Sequence, residues 1–482
     1  MWNIVLVWAW WTWMSGIAWL LHDLWYTNIV CIDGFQSELT DKLEKKWLQV
    51  IIGHGKYEPK IDDAFIYSEA TVDSPEVTKA RALSKEQKKI MLIMNYFQFL
   101  GEISKYFITV GFAGTNGKSS TTALGIYGAK QWLPNFGIGI LWALVPDFNN
   151  QSYYLNPEHS DEIKVIFDFI LTWKNFSSLK TRDSSLTKKF YFFVEACEYK
   201  RHFLNLDLDY AIITSLELDH TDYYKDMNDY LDAFKTLINK TKQKIIVPEN
   251  INMDFPWSHP DKGGTGGLWK TIKVPIEKID FRYIRGDHNN INWSLVMHLL
   301  NTLQPKDLSF YLSTIVSFHW LRRRMELLWK NKNGSPVYSD YGHMASSIEL
   351  GYHSLRMKYP GKKIFVIFQP HQINRILLGR NDFIKALEPY DKIMIYDIYA
   401  ARENRAELIK KFQTTHPWLH ESMTLHDVWN EFAKSCKWTY TEDIQEIIKE
   451  IENTKDDWIV CIFSAWDIDY KIRQSTLIQK KE

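Results

Sequence analysis

The chain has 482 residues, enough for two or three domains that each bury a core of their own. Its 58 Lys and Arg balance its 58 Asp and Glu, so no global field steers it toward nucleic acid or an anionic membrane. Cys31, Cys197, Cys436 and Cys461 are scattered without a C-x-x-C pair, which argues against a disulfide framework or a zinc ribbon and predicts a reducing, cytoplasmic setting.

The first stretch carries an anomaly. Seven of the 21 tryptophans, at positions 2, 8, 10, 11, 13, 19 and 25, fall within the first 25 residues. Taken literally, residues 4–21 are almost wholly apolar and about long enough to cross a bilayer, although no Lys or Arg precedes them as in a signal peptide. Glycine is scarce at 22 of 482 residues, about 4.6%, against a usual ~7%. Reading these tryptophans as glycine yields a strand, a G-x-G-x-x-G turn, a helix and a second strand ending in Asp33, 20 residues past the third fingerprint position. The sequence therefore predicts that many tryptophan codons are UGA meant as glycine. The literal alternative is a membrane-anchored nucleotide-binding protein.

Residues 1–105 form a first α/β unit, with strands over 4–7, 29–32, 50–52 and 64–67. Trp8, Trp10 and Trp13 occupy turn positions that would face a ligand pyrophosphate. Asp33, His54 and Ser68 follow strand ends, where open parallel sheets bind ligands. The lysine-rich segment 84–89 reads as a solvated helix start.

Residues 106–318 form a second unit, opened by an apolar strand that runs into a glycine-rich turn and a hydroxyl-rich helix start over 110–122. Gly114 and Gly117 permit a tight turn whose amides, with those of Thr115 and Asn116, can cradle an anion. Lys118 supplies charge for the β- and γ-phosphates, and the Ser119 hydroxyl, followed by Ser120, can ligate Mg²⁺. Only two residues separate the glycines, fewer than in the usual G-x-x-x-x-G-K-[ST] loop. Two β-type runs, over 190–194 and 211–216, lead into Glu195 and His220, which become candidate Mg²⁺ ligands. The glycine-rich segment 263–267 reads as a flexible loop. Residues 286–292 open a helix whose amide side chains, Asn292 among them, can bond an adenine or ribose.

Residues 319–482 alternate strands and helices again, with strands near 337–339, 364–368, 392–395 and 459–463. Three arginines, 322–324, stand near the start, where they can neutralise a transferring phosphoryl group. Asp340-Tyr341-Gly342-His343 and Gln369-Pro370-His371 directly follow strands. There is no basic–aromatic pattern suited to nucleic acid and no repeat of period 20–50.

Together these residues resemble the Mur ligase family, the ATP-dependent amide ligases of peptidoglycan synthesis, over nearly the whole chain. The family loop G-T-[HN]-G-K-[ST]-[ST] is matched by residues 114–120, and an E-A-C-E-Y-x-R-H-F-L run found in some alanine-adding members by 195–204. Further matches in the same order are 214–223, 288–292, 340–343, 368–371 and 397–401. Glycine is expected where the chain has Trp320 and Trp466. The resemblance implies an α/β three-domain Mur ligase architecture: a Rossmann-like N-terminal domain (1–105) for the UDP-sugar, a central P-loop ATPase domain (106–318) and a Rossmann-like C-terminal domain (319–482) that admits the amino acid.

It implies ATP and Mg²⁺ as cofactors, with UDP-N-acetylmuramate and L-alanine, or a short peptide, as partners. Lys118, Glu195, His220 and Arg323 would be catalytic, with Ser119 and Glu195 on one Mg²⁺ and His220 near a second. Asn292 would contact adenine, Asp340 the ribose and Arg323 the phosphates. The substrates would meet Trp8, Trp10, Trp11, Trp13, Met14, Ser15, Asp33, His54, Ser68, His343, His371, Arg375 and Tyr399. A monomer or weak homodimer without membrane insertion is expected. Departures from the family pattern at Asn116, Asp287, 344–347 and Gln372 leave a peptide-recycling ligase as the rival, and Lys235 stands near the position of a lysine that is carbamylated in many other members.

Overall fold

The computed structural model describes residues 2–8, 12–172, 188–221, 223–251, 271–277, 287–307, 313, 315, 317–398, 407, 410, 427, 438–465 and 467–479. They divide into two compact units, one of residues 1–279 with 289–319 and one of 280–288 with 320–482. Three sheets run through them, two in the first unit and one in the second.

The first sheet contains β1 (Ile4–Trp8), β2 (Ile29–Asp33), β3 (Gln49–Ile52), β4 (Ala64–Tyr67) and β5 (Ile93–Asn95), in the order β3-β2-β1-β4-β5. All its pairings are parallel. Every residue of β1 is buried, as expected of a central parallel strand covered on both faces. The apolar N-terminal stretch thus divides into a short strand and the helix α1 (Thr12–Asp23). Among the described residues no helix is long and apolar enough to cross a membrane.

Helices α2 (Glu38–Lys45), α3 (Pro75–Glu86) and α4 (Tyr96–Ser104) complete this part. The segment 84–89 ends a helix rather than starting one. Pro75, at the first turn of α3, fixes the start nine residues upstream of Ser84, and Lys88 closes the helix at φ 49.

The second sheet contains β6 (Ile108–Ala113), β7 (Phe136–Val145), β8 (Gln151–Leu155), β9 (Tyr191–Glu195), β10 (Tyr210–Ile213), β11 (Lys244–Pro248) and β12 (Thr271–Val274). Its order is β12-β11-β10-β6-β9-β7-β8, parallel except where β8 runs back along β7. Helices α5 (Lys118–Trp132), α6 (Ser160–Thr172), α7 (Met227–Lys240) and α8 (Asp287–Leu303) accompany it. Strand β6 lies between β9 and β10, which enter from opposite sides, so the carboxyl ends of these three strands form a switch point.

The first two sheets share one hydrophobic core. Helix α1 packs so closely on the β7–β8 hairpin that a Cβ on Gly16 would lie 2.4 Å from Ser152 Oγ. Polar clasps flank this joint: the Tyr153 hydroxyl donates to Asp23, and the Tyr26 hydroxyl donates to Asp168 Oδ1 at 2.6 Å.

In the second unit the sheet is β13 (Glu326–Lys330), β14 (Pro336–Asp340), β15 (Lys363–Gln369), β16 (Lys392–Tyr396), β17 (Thr439–Thr441) and β18 (Trp458–Ser464). The order is β13-β14-β18-β15-β16-β17, with only β13 antiparallel. Apolar clusters cover both of its faces.

Candidate active site

The cradle forms where β6 meets α5. Gly114 (φ 128) and Gly117 (φ 85) hold the turn in conformations that favour glycine. Space reinforces the requirement, because a Cβ on Gly114 would sit 2.3 Å from Thr214 Oγ1 and one on Gly117 2.6 Å from Asn292 Oδ1. Gly117 caps α5 without a side chain, so the first amides of the helix are left for a ligand. The loop is braced from the segment that follows β10: Asn116 N–H donates to Ser215 Oγ at 2.7 Å, and the Thr115 hydroxyl donates to the Glu217 carbonyl at 2.7 Å. Asn292, from α8, accepts from the Thr121 hydroxyl at 3.0 Å and so packs directly on the cradle.

Two acid positions face the start of α5. The Ser119 hydroxyl, with Ser120 beside it in the first turn, donates to Glu195 Oε1 at 2.8 Å, while Glu195 Oε2 accepts Trp142 N–H at 2.8 Å. Lys118 Nζ donates to the Thr115 carbonyl at 3.0 Å and to Glu198 Oε1 at 2.9 Å. Burial works against its ammonium, but Glu198 overrides that and lifts the pKa above the ordinary lysine value. His220 Nε2 lies 3.8 Å from Glu198 Oε1 and 3.8 Å from Asp219 Oδ2.

Ligand atoms of Glu198, Asp219 and His220 all lie within 4.8 Å of one another. Glu198 Oε2 is buried without a hydrogen-bond partner. Two carboxylates and one imidazole make a mainly hard-oxygen donor set that fits Mg²⁺, and the orphaned oxygen is an acceptor that a cation would satisfy.

Sequence reasoning assigned no role to Glu198 or Asp219. A signal for Glu198 was present: it follows Glu195 by three residues, just past the end of β9.

In the first sheet, Trp8 pairs with Asp33 across β1 and β2, and Ser68 N–H donates to the Val7 carbonyl at 2.9 Å. The sheet thus brings Trp8, Asp33 and Ser68 to one edge. His54 Nδ1 lies 3.4 Å from Glu76 Oε2, and His54 Nε2 approaches Gly34. Trp8, Met14 and Ser15 are buried, and Trp13 packs on Tyr96 with ring centroids 4.1 Å apart. Trp10 and Trp11 lie outside the described residues.

In the second unit, Arg323 donates to the Ser464 carbonyl, stands over the Tyr341 ring and pairs with Asp469 at 3.7 Å. Asp469 is buried, which would raise its pKa, but Arg323 and Arg473 hold it below the usual carboxylate range. Both Asp340 oxygens accept backbone N–H groups, from Gly342 at 2.7 Å and Met325 at 2.8 Å. His343 and His371 stand edge to face, 5.7 Å apart, and Arg375 Nη1 is 3.2 Å from His371 Nδ1. Tyr399 and Trp466 lie outside the described residues, as does the segment 263–267.

The Mur ligase middle domain model matches residues 175–259. A UDP-N-acetylmuramate–L-alanine ligase of Clostridium botulinum is 28% identical over 95% of this chain and 94% of its own. One of Caldicellulosiruptor saccharolyticus is 26% identical with the same coverage. Among solved structures, the UDP-N-acetylmuramate–alanine ligase of Thermotoga maritima superposes with a TM-score of 0.70 at 19% identity, covering 99% of this chain and 100% of that one. A murein peptide ligase of Psychrobacter arcticus gives 0.62 at 17% identity, covering 99% and 98%. The three-sheet α/β architecture, the cradle with its acid pair and the end-to-end alignment make the chain similar to the Mur ligases, with their middle-domain signature over residues 175–259.

Proposed function

We propose that the protein is an ATP-dependent ligase that joins L-alanine to UDP-N-acetylmuramate in cytoplasmic synthesis of peptidoglycan precursors. The observation that carries this reading is the Lys118–Ser119 cradle facing Glu195, Glu198 and His220, in a chain alignable over 95% of its length with ligases of that activity. Residues 1–105 would hold the UDP-sugar through Asp33, His54 and Ser68, residues 106–318 the ATP, and residues 319–482 the amino acid near His343, His371 and Arg375.

The chemistry follows from the parts. A carboxylate is a poor electrophile, so it first attacks the γ-phosphorus in line, giving an acylphosphate and ADP. Lys118 and the α5 amides hold the triphosphate and offset the charge that gathers between two anions. Ser119, Glu195, Glu198 and His220 would hold Mg²⁺, which when bound neutralises phosphate charge. The neutral amine then attacks the acyl carbon, and phosphate leaves with the electrons of the C–O bond. Exclusion of water protects the acylphosphate from hydrolysis.

The test is to offer the enzyme ATP, Mg²⁺, UDP-N-acetylmuramate and a panel of amino acids and tripeptides, following phosphate release and amide formation together. Equimolar phosphate and amide with L-alanine are expected. Amide formed only with a tripeptide would replace this reading with the recycling one.

A further inference from the structure

Twelve described non-glycine residues have positive φ, and three of them are tryptophans: Trp25 (φ 66), Trp47 (φ 63) and Trp320 (φ 76). A bulky side chain there is a steric outlier. Two of the three sit at the same place in the same motif.

After α1, Trp25 N–H bonds the His22 carbonyl at 2.9 Å and Tyr26 N–H the Leu21 carbonyl at 3.1 Å. After α2, Trp47 N–H bonds the Glu44 carbonyl at 2.9 Å and Leu48 N–H the Leu43 carbonyl at 3.2 Å. This paired closure places a left-handed residue just past the helix, a position dominated by glycine. The accompanying apolar pairs, Tyr26 with Leu21 and Leu48 with Leu43, are buried as the motif demands.

The indoles themselves contribute no burial to offset their backbone strain, since Trp25 is 75% and Trp47 96% exposed. Helix α3 closes in the same way on Lys88, so an ordinary side chain is tolerated there. The recurrence of tryptophan at the other two caps, in a chain short of glycine, requires a common cause. Trp8 adds a different kind of mismatch: it is fully buried, and its indole N–H has no partner.

We infer that positions 25, 47 and 320 are glycine in the protein as its own cell makes it, their UGA codons being decoded as glycine, and that Trp8 shares this decoding. The backbone already has the shape glycine permits. This inference does not depend on the enzymatic activity.

The direct test is peptide sequencing by mass spectrometry of the protein isolated from its source cells. Glycine at 25, 47 and 320 is expected, and tryptophan at any of the three overturns the inference. An independent measurement uses the chain expressed with tryptophan. Trp25→Gly and Trp47→Gly should each raise Tm by about 2–4 °C, whereas Trp25→Ala and Trp47→Ala should give less, because alanine keeps the strained φ. An equal gain from alanine, or no gain from glycine, would show that backbone conformation does not select the residue.

Discussion

Lys118 Nζ and Glu198 Oε1 lie 2.9 Å apart beneath the cradle, with Glu198 almost wholly out of solvent. Burial pulls the lysine pKa down, and the carboxylate more than offsets that pull. Removing it strands a buried cation, so Glu198→Ala should cost about 3–5 kcal/mol in urea unfolding. Glu198→Gln, which can still accept a hydrogen bond, should cost less. Lys118→Met removes the charge that the proposed function assigns to the phosphates, and on that reading should lower kcat/KM by about 10²–10³-fold.

The conformation of the cradle is tested by a paired substitution. At Gly114 an added Cβ meets Thr214 Oγ1 at 2.3 Å and Ser215 N at 2.8 Å, whereas at Gly361 (φ 87) it meets nothing within 4 Å. Both variants to alanine carry about 1–3 kcal/mol of backbone strain. Only Gly114→Ala should also weaken ATP binding, by at least about tenfold in calorimetry, because the loop must shift to make room.

Ser119→Ala deletes the hydroxyl that donates to Glu195 while leaving the Trp142 N–H bond to that carboxylate in place. Folding should change by only about 1 kcal/mol. If Ser119 holds the ion, the Mg²⁺ concentration for half-maximal phosphate release should rise at least about tenfold. An unchanged requirement would remove Ser119 from the metal site.

His202 stacks flat on Phe97, with centroids 3.9 Å apart, and burial, with Lys200 and His220, pushes its pKa down to about 4. The unfolded chain takes up this proton near pH 6.5 and the folded chain only near pH 4, so stability present above pH 6.5 is lost as pH falls through that window. The loss should total roughly 3 kcal/mol. His202→Phe, which keeps a ring against Phe97, should flatten the pH profile of urea unfolding by about that amount.

What the sequence made legible was local. The β6–cradle–α5 passage could be read because glycines, lysine and hydroxyls at fixed offsets after an apolar strand dictate the turn and the helix start. Asp33 could be placed because a parallel βαβ unit fixes the spacing between its strand ends. Other features depended on distance in the chain. Lys118 and Glu198 are 80 residues apart, and nothing near either announces the other. Arg323 finds Asp469 only when its sheet assembles. The segment 84–89 misled because lysines suit either end of a helix, and Pro75 decided the matter from upstream. The β7–β8 hairpin gave too weak an alternation to be seen, yet it joins the first two sheets.

That hairpin has a consequence for aim. Because α1 rests against it with almost no spare room, and Tyr153 and Tyr26 latch the joint on both flanks, the edges of the first two sheets are pre-set at a fixed separation. Substrates seated on those two edges, as the proposed function has them, would not need to search for each other at every turnover, since folding would already have met the orientational cost.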